Sequence, residues 1–224
     1  MKKLLAFRNK MKIRTTEELY NKLSEDLSWR KKELTLFKSR IDTADEKRLN
    51  SEIRAGIVML YSHWEGFIKN ATSYYLIYVK QLKLNYSDLA PCLLTLSLKS
   101  KLLEFNNNYN HEENLKFVDF FQNNLNQRAF WNLEKAVDTK SNLNSEVLQN
   151  ILSVVGISFH DFELKSNLID EKLVKNRNTI AHGNYLSFTK NDYKNLHAEI
   201  VGMVNNIFNQ ITNLAVLKKY KNSA

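Results

Sequence analysis

Proline and glycine are scarce in this sequence, which has one proline and five glycines among 224 residues. Because these two residues most often interrupt regular structure, their scarcity argues against a β-fold with many tight turns and favours long helices. Hydrophobic residues make up 43% of the chain and aromatic residues 11%, well above the composition of a disordered protein. We therefore expect either one domain or one domain with embellishments, built around a substantial core.

Cysteine is scarcer still, because Cys92 is the only one in the chain. No internal disulfide can form, and no cysteine pair can hold zinc. The five histidines, at positions 63, 111, 160, 182 and 197, show no metal-binding spacing, and no HExxH, GxGxxG or Walker motif is present. We expect neither a metal site nor a bound cofactor.

Long apolar runs are also lacking. No window approaches the roughly 18 apolar residues that a membrane helix needs. The start, MKKLLAFRNKMKIR, has a basic head, but its apolar core LLAF is shorter than that of a signal peptide. The sequence therefore predicts a cytoplasmic protein without a membrane partner.

The charge balance is strongly basic. The formal net charge is +9, and residues 1–14 carry six lysines and arginines with no acidic residue. Such an excess suits a polyanionic partner, and nucleic acid is the commonest one in the cytoplasm. A lysine-rich surface that contacts only solvent is the alternative, and charge alone does not decide between the two.

Apolar residues recur at steps of three or four along several segments, which predicts helices. The most continuous apolar stripe lies in residues 48–83 and includes Trp64, so this segment is expected to be the central helix of the core. Residues 92–150 alternate short apolar runs with asparagine-rich pieces and predict shorter helices and loops. Further helices are predicted at 15–40, 145–156, 167–181 and 190–219, with Thr16, Ser145 and a Thr189–Asp192 capping box at their starts and Gly156 and Gly183 as stops.

The segment VKNRNTIAHGNY, residues 174–185, combines Arg177 with His182. Arginine grips phosphate with a planar, permanently charged fork, and histidine transfers protons near neutral pH. Five residues place the two side chains about 140° apart around a regular helix. A left-handed Gly183 that unwinds the backbone, or a second copy of the chain, could bring such a pair together. The simpler interpretation is that both residues stabilise the negative end of a helix.

RNTIAHG resembles the R-polar-x3-H signature of the HEPN superfamily. The segment RAGIVMLYSHWEGFIKNA, residues 54–71, resembles the central helix of a bacterial subfamily of small stand-alone HEPN proteins. The resemblance covers most of residues 45–219 and implies an all-α, HEPN-like helical bundle with two long antiparallel helices, 48–83 and 190–219, plus shorter helices. Residues 45–224 would form this domain, and residues 1–44 a basic N-terminal helical extension, packed or partly flexible.

The function that the resemblance implies is metal-independent endoribonuclease activity from a homodimer whose two motifs share a cleft. Arg177 would bind phosphate and stabilise the transition state, His182 would transfer the proton, and Asn178 would orient the histidine or the phosphate. The ribose 2′-hydroxyl of the RNA would be the nucleophile. Many such proteins resemble toxins of toxin–antitoxin, abortive-infection or phage-defence systems, which implies an antitoxin or defence partner. Other members only bind nucleotide, RNA or protein, and a helical oligomer whose motif merely caps a helix is a third possibility.

Three further residues could support this site. Glu65 could accept a hydrogen bond from Arg177 or His182, or else pair with a surface cation. Asn184 and Tyr185 could line the cleft, with Tyr185 either stacking on a base or anchoring the loop. Other residues of the central helix have simpler expected roles: we expect Trp64 in the core and a packed, hydrogen-bonded His63. Arg54 could lie on the same side of the helix as His63, or else form a surface salt bridge.

Overall fold

The computed structural model describes residues 11–107 and 110–222, so four of the six basic N-terminal residues, Lys2, Lys3, Arg8 and Lys10, lie outside the described part. Within it the structure is an all-α bundle, as predicted. The α-helices are α1 (Thr16–Thr43), α2 (Glu46–Gln81), α3 (Pro91–Asn107), α4 (His111–Asn123), α5 (Leu133–Ala136), α6 (Ser145–Val155), α7 (Lys175–Ala181) and α8 (Lys190–Val216). A π-helical segment, Leu168–Val174, runs directly into α7, and short 3-10 turns lie at Tyr86–Asp88 and His160–Lys165.

The predicted helix boundaries are confirmed to within a few residues, and Pro91 opens α3 as expected. Two caps lie one residue earlier than predicted. Thr15 rather than Thr16 accepts the hydrogen bond from the backbone N–H of Glu18, and Asn144 rather than Ser145 accepts from Val147. In both places two capping residues are adjacent, and the first of them adopts the extended backbone that a cap requires.

Helix α2 is the centre of the core. Its apolar stripe is buried between α1 and α8, and Trp64 is fully inaccessible, as predicted. Leu19, Leu23 and Leu27 of α1 belong to the same cluster, so the N-terminal helix is packed into the bundle core. None of the helices in residues 11–107 and 110–222 combines the length and apolar character that a membrane crossing needs.

Helix directions follow from paired contacts. The two-residue turn between α1 and α2 makes them antiparallel, and Asn70 of α2 donates to Asp26 of α1 at 3.1 Å. Helix α8 instead runs in the same direction as α2, because its start packs on Gly56 while Tyr220, just after its end, contacts Tyr78. Segments 48–83 and 190–219, predicted to be antiparallel, correspond to α2 and α8 and are parallel. The helix that is antiparallel to α2 is α1.

A buried ionic cluster fixes the register of α1 on α2. Arg30 donates to both carboxylate oxygens of Asp26, at 2.9 and 3.2 Å, and its Nη1 lies 3.5 Å from Nδ1 of His63. Gly66 permits this approach, because a Cβ there would stand 2.6 Å from the guanidinium. Burial, with the charge of Arg30 second, lowers the pKa of His63, whose Nε2 lies 2.8 Å from Glu33. The prediction of a packed His63 is confirmed.

Gly56 is a close-contact point between α2 and its neighbours. A Cβ at this position would lie 2.7 Å from Cδ1 of Ile41 and 2.8 Å from Cε2 of Tyr193, both fully buried side chains. We expect Gly56→Ala to lower the free energy of unfolding by about 1–3 kcal/mol, because overpacking outweighs the gain in helix propensity. Urea unfolding followed by circular dichroism measures this change.

Gly202→Ala is the matched control, because Gly202 is exposed in α8 and a Cβ there meets no atom within 4 Å. Its free energy of unfolding should rise by about 0.5–1 kcal/mol. Equal effects of the two substitutions would contradict the close packing described at Gly56.

Candidate functional site

The motif lies at the end of α7, where the chain leaves the helix through a glycine. Gly183 has a φ of +75°, as predicted. Its N–H donates to the carbonyl of Ile180 and the N–H of Asn184 to that of Thr179, both at 3.0 Å. These two bonds form the Schellman motif that satisfies the last carbonyls of a helix. His182 is the last residue before the turn and is exposed to solvent.

The side chain of Arg177 is held between α2 and a loop. Its guanidinium carbon lies 3.9 Å from the ring centroid of Tyr61, within the range of a cation–π contact. Its Nη2 donates to the carbonyl oxygen of Ser141 at 3.0 Å and, at a longer 3.4 Å, to Oδ1 of Asn142. Its Nε is buried without a hydrogen-bond partner. Arg177 is thus oriented while part of its donor capacity is unused.

The loop that meets Arg177 is residues 137–144, between α5 and α6, which we name the strap. Asn142 is its central contact, because its Oδ1 also accepts from Nδ2 of Asn178 at 3.3 Å. One amide oxygen therefore joins Arg177 and Asn178. Neither residue pattern nor periodicity marks Asn142 in the sequence, and it was missed as a site residue.

Two contacts with α2 anchor the strap. The hydroxyl of Thr139 donates to Glu65 at 2.6 Å, and the N–H of Leu143 donates to the hydroxyl of Tyr61 at 2.8 Å. Burial raises the pKa of Tyr61 above its ordinary value of 10, and the nearby Glu65 adds to this rise, so the hydroxyl stays protonated at neutral pH.

The backbone of the strap is strained at its turn. Lys140 and Ser141 both have a φ of +52°, the left-handed region that residues other than glycine rarely occupy. Two such residues in a row persist only where the surrounding contacts hold them. Here the carbonyl of Ser141 receives the Arg177 hydrogen bond, so the strained turn presents an acceptor to the motif arginine.

An open groove of about 490 Å³ runs along the exposed side of the motif helix. Asn142, Asn178 and His182 line it together, so the strap and the motif share this surface. The charged residues of its wall are largely paired with neighbours: Glu171 forms an ion pair with Lys175, and Asp170 accepts from the backbone and hydroxyl of Ser145. The other lining residues are Asn144, Val174, Thr179 and Asn184.

Arg177 and His182 do not meet within one chain. In the described structure the arginine donates to the strap and the histidine lines the groove, with no hydrogen bond between them. Asn142 is the link, since it bonds Arg177 and lines the groove with His182. The left-handed turn at Gly183 therefore does not by itself bring His182 into contact with Arg177.

The remaining predicted residues lie around this arrangement. Glu65 reaches the site through Thr139 rather than through a bond to Arg177 or His182. Asn184 lines the groove, and its backbone carbonyl accepts from Nη1 of Arg54 at 2.8 Å. Arg54 thus holds the loop after the motif, and among the described residues it has no salt-bridge partner. Tyr185 is 77% exposed beside it.

The periodicity of α2 could have identified Arg54 and Tyr61, two site residues that the sequence analysis did not predict. Arg54, Tyr61 and Glu65 are separated by seven and four positions, which places them on one face of α2. That face is the one turned to the motif and the strap.

Among the described residues, no group of three or more histidine, cysteine, aspartate and glutamate side chains is arranged to hold a metal ion.

Comparison with known proteins identifies a family. The family model described as RiboL-PSP-HEPN matches residues 25–213, which begins within α1 and ends within α8. No significant match to a curated protein or to a solved structure was found. The family match covers most of the 224 residues and contains every site residue described above. The chain therefore belongs to the RiboL-PSP-HEPN family, within the nuclease- and RNA-related HEPN superfamily.

Proposed function

We propose that this protein is a metal-independent endoribonuclease. The ribose 2′-hydroxyl of the substrate attacks the adjacent phosphate, so the RNA supplies its own nucleophile and DNA does not react. The observation that carries the proposal is the shared oxygen of Asn142, which holds Arg177 and Asn178 together beside a groove that His182 lines.

Arg177 is the residue that binds phosphate and stabilises the charge that develops on it. Its bond to Asn142 is 3.4 Å long, beyond the usual range of about 2.7–3.2 Å, and so is weak enough to exchange for a phosphate oxygen. The stacking on Tyr61 and the bond to Ser141 keep the side chain oriented during that exchange.

His182 is the proton-transfer residue of the proposed reaction. It removes the proton of the 2′-hydroxyl or delivers one to the leaving 5′-oxygen, and its exposure gives a bound strand direct access. Asn178 lines the same groove and orients the phosphate or the histidine. The products are a 2′,3′-cyclic phosphate and a 5′-hydroxyl.

The active unit that we propose is a homodimer in which the motifs of two copies share one cleft. Arg177 and His182 are not joined within one chain, and the groove beside them is open. A second copy would bring its own histidine to the first copy's arginine. The cellular role that fits such an enzyme is a toxin or phage-defence effector, with an antitoxin or defence protein as its partner.

The alternative is a non-catalytic HEPN module that binds RNA, nucleotide or a partner protein. The observation that favours it is the engagement of Arg177, which already stacks on Tyr61 and bonds the strap. In that case Arg177 serves to fix the strap on α2, and the groove binds without cleaving.

We expect Arg177→Ala and His182→Ala each to lower RNA cleavage at least 100-fold, because positioned charge and proton transfer each contribute about 100-fold or more. Arg48→Ala and His160→Ala are the matched controls, because both side chains are exposed and lie outside the groove. Cleavage of a 5′-labelled RNA, with end-group analysis and with EDTA present, measures the effect.

Wild-type protein that binds this RNA without cleaving it supports the non-catalytic alternative. Folded Arg177 and His182 variants that cleave as fast as the parent end the endoribonuclease proposal. Expression of the wild type, the two motif variants and the two controls in bacteria extends the test to the cellular role. Growth arrest with loss of RNA should appear with the wild type and the two controls but not with the motif variants.

Asn142→Ala should reduce the turnover number about tenfold or more while leaving the fold intact, because Arg177 and Asn178 lose their shared acceptor and small misplacements of reacting groups are costly. Asn150→Ala, an exposed asparagine of α6, is the control. Steady-state kinetics separate the two roles of Asn142. A rise in KM with unchanged turnover would assign Asn142 to substrate binding instead of positioning.

Mixing inactive variants tests the shared cleft. If each site takes Arg177 from one copy and His182 from the other, a mixed dimer of Arg177→Ala and His182→Ala chains retains one complete pair. Random exchange should then restore roughly a quarter of the wild-type activity, since half of the dimers carry one intact site of two. No recovery, although subunit exchange is verified by differential tagging, would place each active pair within a single chain.

A further inference from the structure

Three chain segments lie side by side at the end of the bundle where α2 and α8 finish. The segment after α2 bonds on one side to residues 127–129, through Ala129 to the carbonyl of Leu84 at 2.9 Å. On the other side it bonds to residues 220–222, through Ala90 to the carbonyl of Tyr220 at 2.9 Å. We name this surface, residues 83–90, 127–130 and 217–222, the basic platform.

The platform carries a strong excess of positive charge. Its exposed cations are Lys83, Arg128, Lys218, Lys219 and Lys221. Asp88 is the one acidic residue in the three segments. None of the five cations forms an ion pair with another described residue, whereas the ion pairs of the structure lie on other surfaces. Their charge is therefore available to an anionic partner.

The backbone conformation of two of these lysines is unusual. Lys83 has a φ of +57° and Lys218 a φ of +53°, each directly after the cap residue of its helix. Glycine takes this left-handed position at a helix end with the least strain. A lysine at each end instead places a cation against the negative end of the helix, at a backbone cost. Two cations of the platform thus lie directly at the C-terminal ends of α2 and α8.

An exposed aromatic ring adjoins the cations. Phe130 is 62% exposed, and the ammonium of Lys80 lies 4.4 Å from its ring centroid. Lys80 also donates to the carbonyl of Trp131 at 3.3 Å, which fixes its position. Burial, and the charge of Arg128, lower the pKa of Lys80, which agrees with a local excess of positive charge. A largely exposed ring that carries a cation against it is suited to stack on a nucleobase.

We propose that the basic platform is a second binding site for single-stranded RNA, separate from the groove beside the motif. Lys83, Arg128 and Lys221 bind successive phosphates, and a base stacks on Phe130. RNA is favoured over an anionic membrane because insertion of Phe130 into lipid would carry the ammonium of Lys80 with it.

The geometry relates the platform to the groove. Tyr61, which holds Arg177, and Lys80 are 19 residues apart on α2, or about 28 Å. Residues 128–142 run back along α2 between the two places, from Arg128 to Asn142. A strand of roughly eight stacked nucleotides covers that distance. Only this extension, in which one RNA occupies both sites, rests on the proposed cleavage function.

The test measures the affinity of the full chain for fluorescein-labelled 2′-O-methyl (U)20, which lacks the free hydroxyl needed for cleavage. Binding is followed by fluorescence anisotropy across a salt series. Lys83→Gln combined with Arg128→Gln should raise Kd about tenfold and reduce the slope of log K against log salt by about 1.4, the value for two lost phosphate contacts. Phe130→Ala should raise Kd about tenfold with an unchanged slope.

Lys32→Gln combined with Lys47→Gln is the matched control, because it removes the same charge from exposed lysines away from the platform. It should leave both Kd and the salt slope near their wild-type values. Equal losses in the two double variants would mean that net charge, and not the platform, attracts RNA. Unchanged binding in the platform variants, while the wild type sediments with phosphatidylserine vesicles in a platform-dependent way, would overturn the proposal in favour of a membrane surface.

The outcome is independent of catalysis. Loss of (U)20 affinity in the platform variants of a protein that never cleaves RNA supports the platform and rejects the endoribonuclease. Cleavage that depends on Arg177 and His182, with no effect of the platform variants on (U)20 binding, gives the opposite result. If both functions hold, the platform variants should slow cleavage of a 20-nucleotide RNA but not of a 5-nucleotide RNA.

Discussion

The burial of α2 is the constraint on which the rest of the molecule depends. It packs against α1 and α8 along its length and against α5, α6 and α7 on its remaining sides, so a shift along its axis would disturb every layer of the core. The buried Arg30–Asp26 pair of α1 contacts it through His63 and Asn70, which fixes the register of the two helices. Its partly exposed side chains are therefore held in place: Arg54, Tyr61 and Glu65 at one site, and Lys80 at the other.

One chain segment that packs along α2 connects the candidate site with the basic platform. Residues 128–142 leave the platform, run along α2 and finish at the motif arginine. Both ends carry non-glycine residues in the left-handed conformation, at Lys140 and Ser141 in the strap and at Lys83 and Lys218 beside the helix ends. Backbone strain of this kind persists only where the surrounding structure is rigid, and the buried helix α2 provides that rigidity. A chain that belongs to a nuclease- and RNA-related family thus has two polar surfaces coupled through one element.

The sequence allowed the helices and the core to be predicted because their signals are local. The apolar stripe around Trp64, the capping box at Thr189 and the glycine stop at Gly183 each depend on residues within a few positions. The antiparallel direction expected for α8 from the resemblance was wrong, and periodicity could not correct it because a buried face does not fix the direction of a helix. The strap was missed for a related reason: Asn142 matters through Arg177 and Asn178, 35 and 36 positions away, and such contacts leave no pattern in a single sequence. The roles assigned to Arg177, Asn178 and His182 stay predictions.

The residue that joins the motif side chains is an amide, and its lack of charge has a consequence for the groove. A carboxylate at position 142 would hold the guanidinium more tightly, but it would also cancel its charge and repel a phosphate. The carboxamide of Asn142 and the carbonyl of Ser141 orient Arg177 through dipoles alone. Tyr61 contributes the face of a neutral ring. The guanidinium is thus fixed in direction with its full positive charge retained.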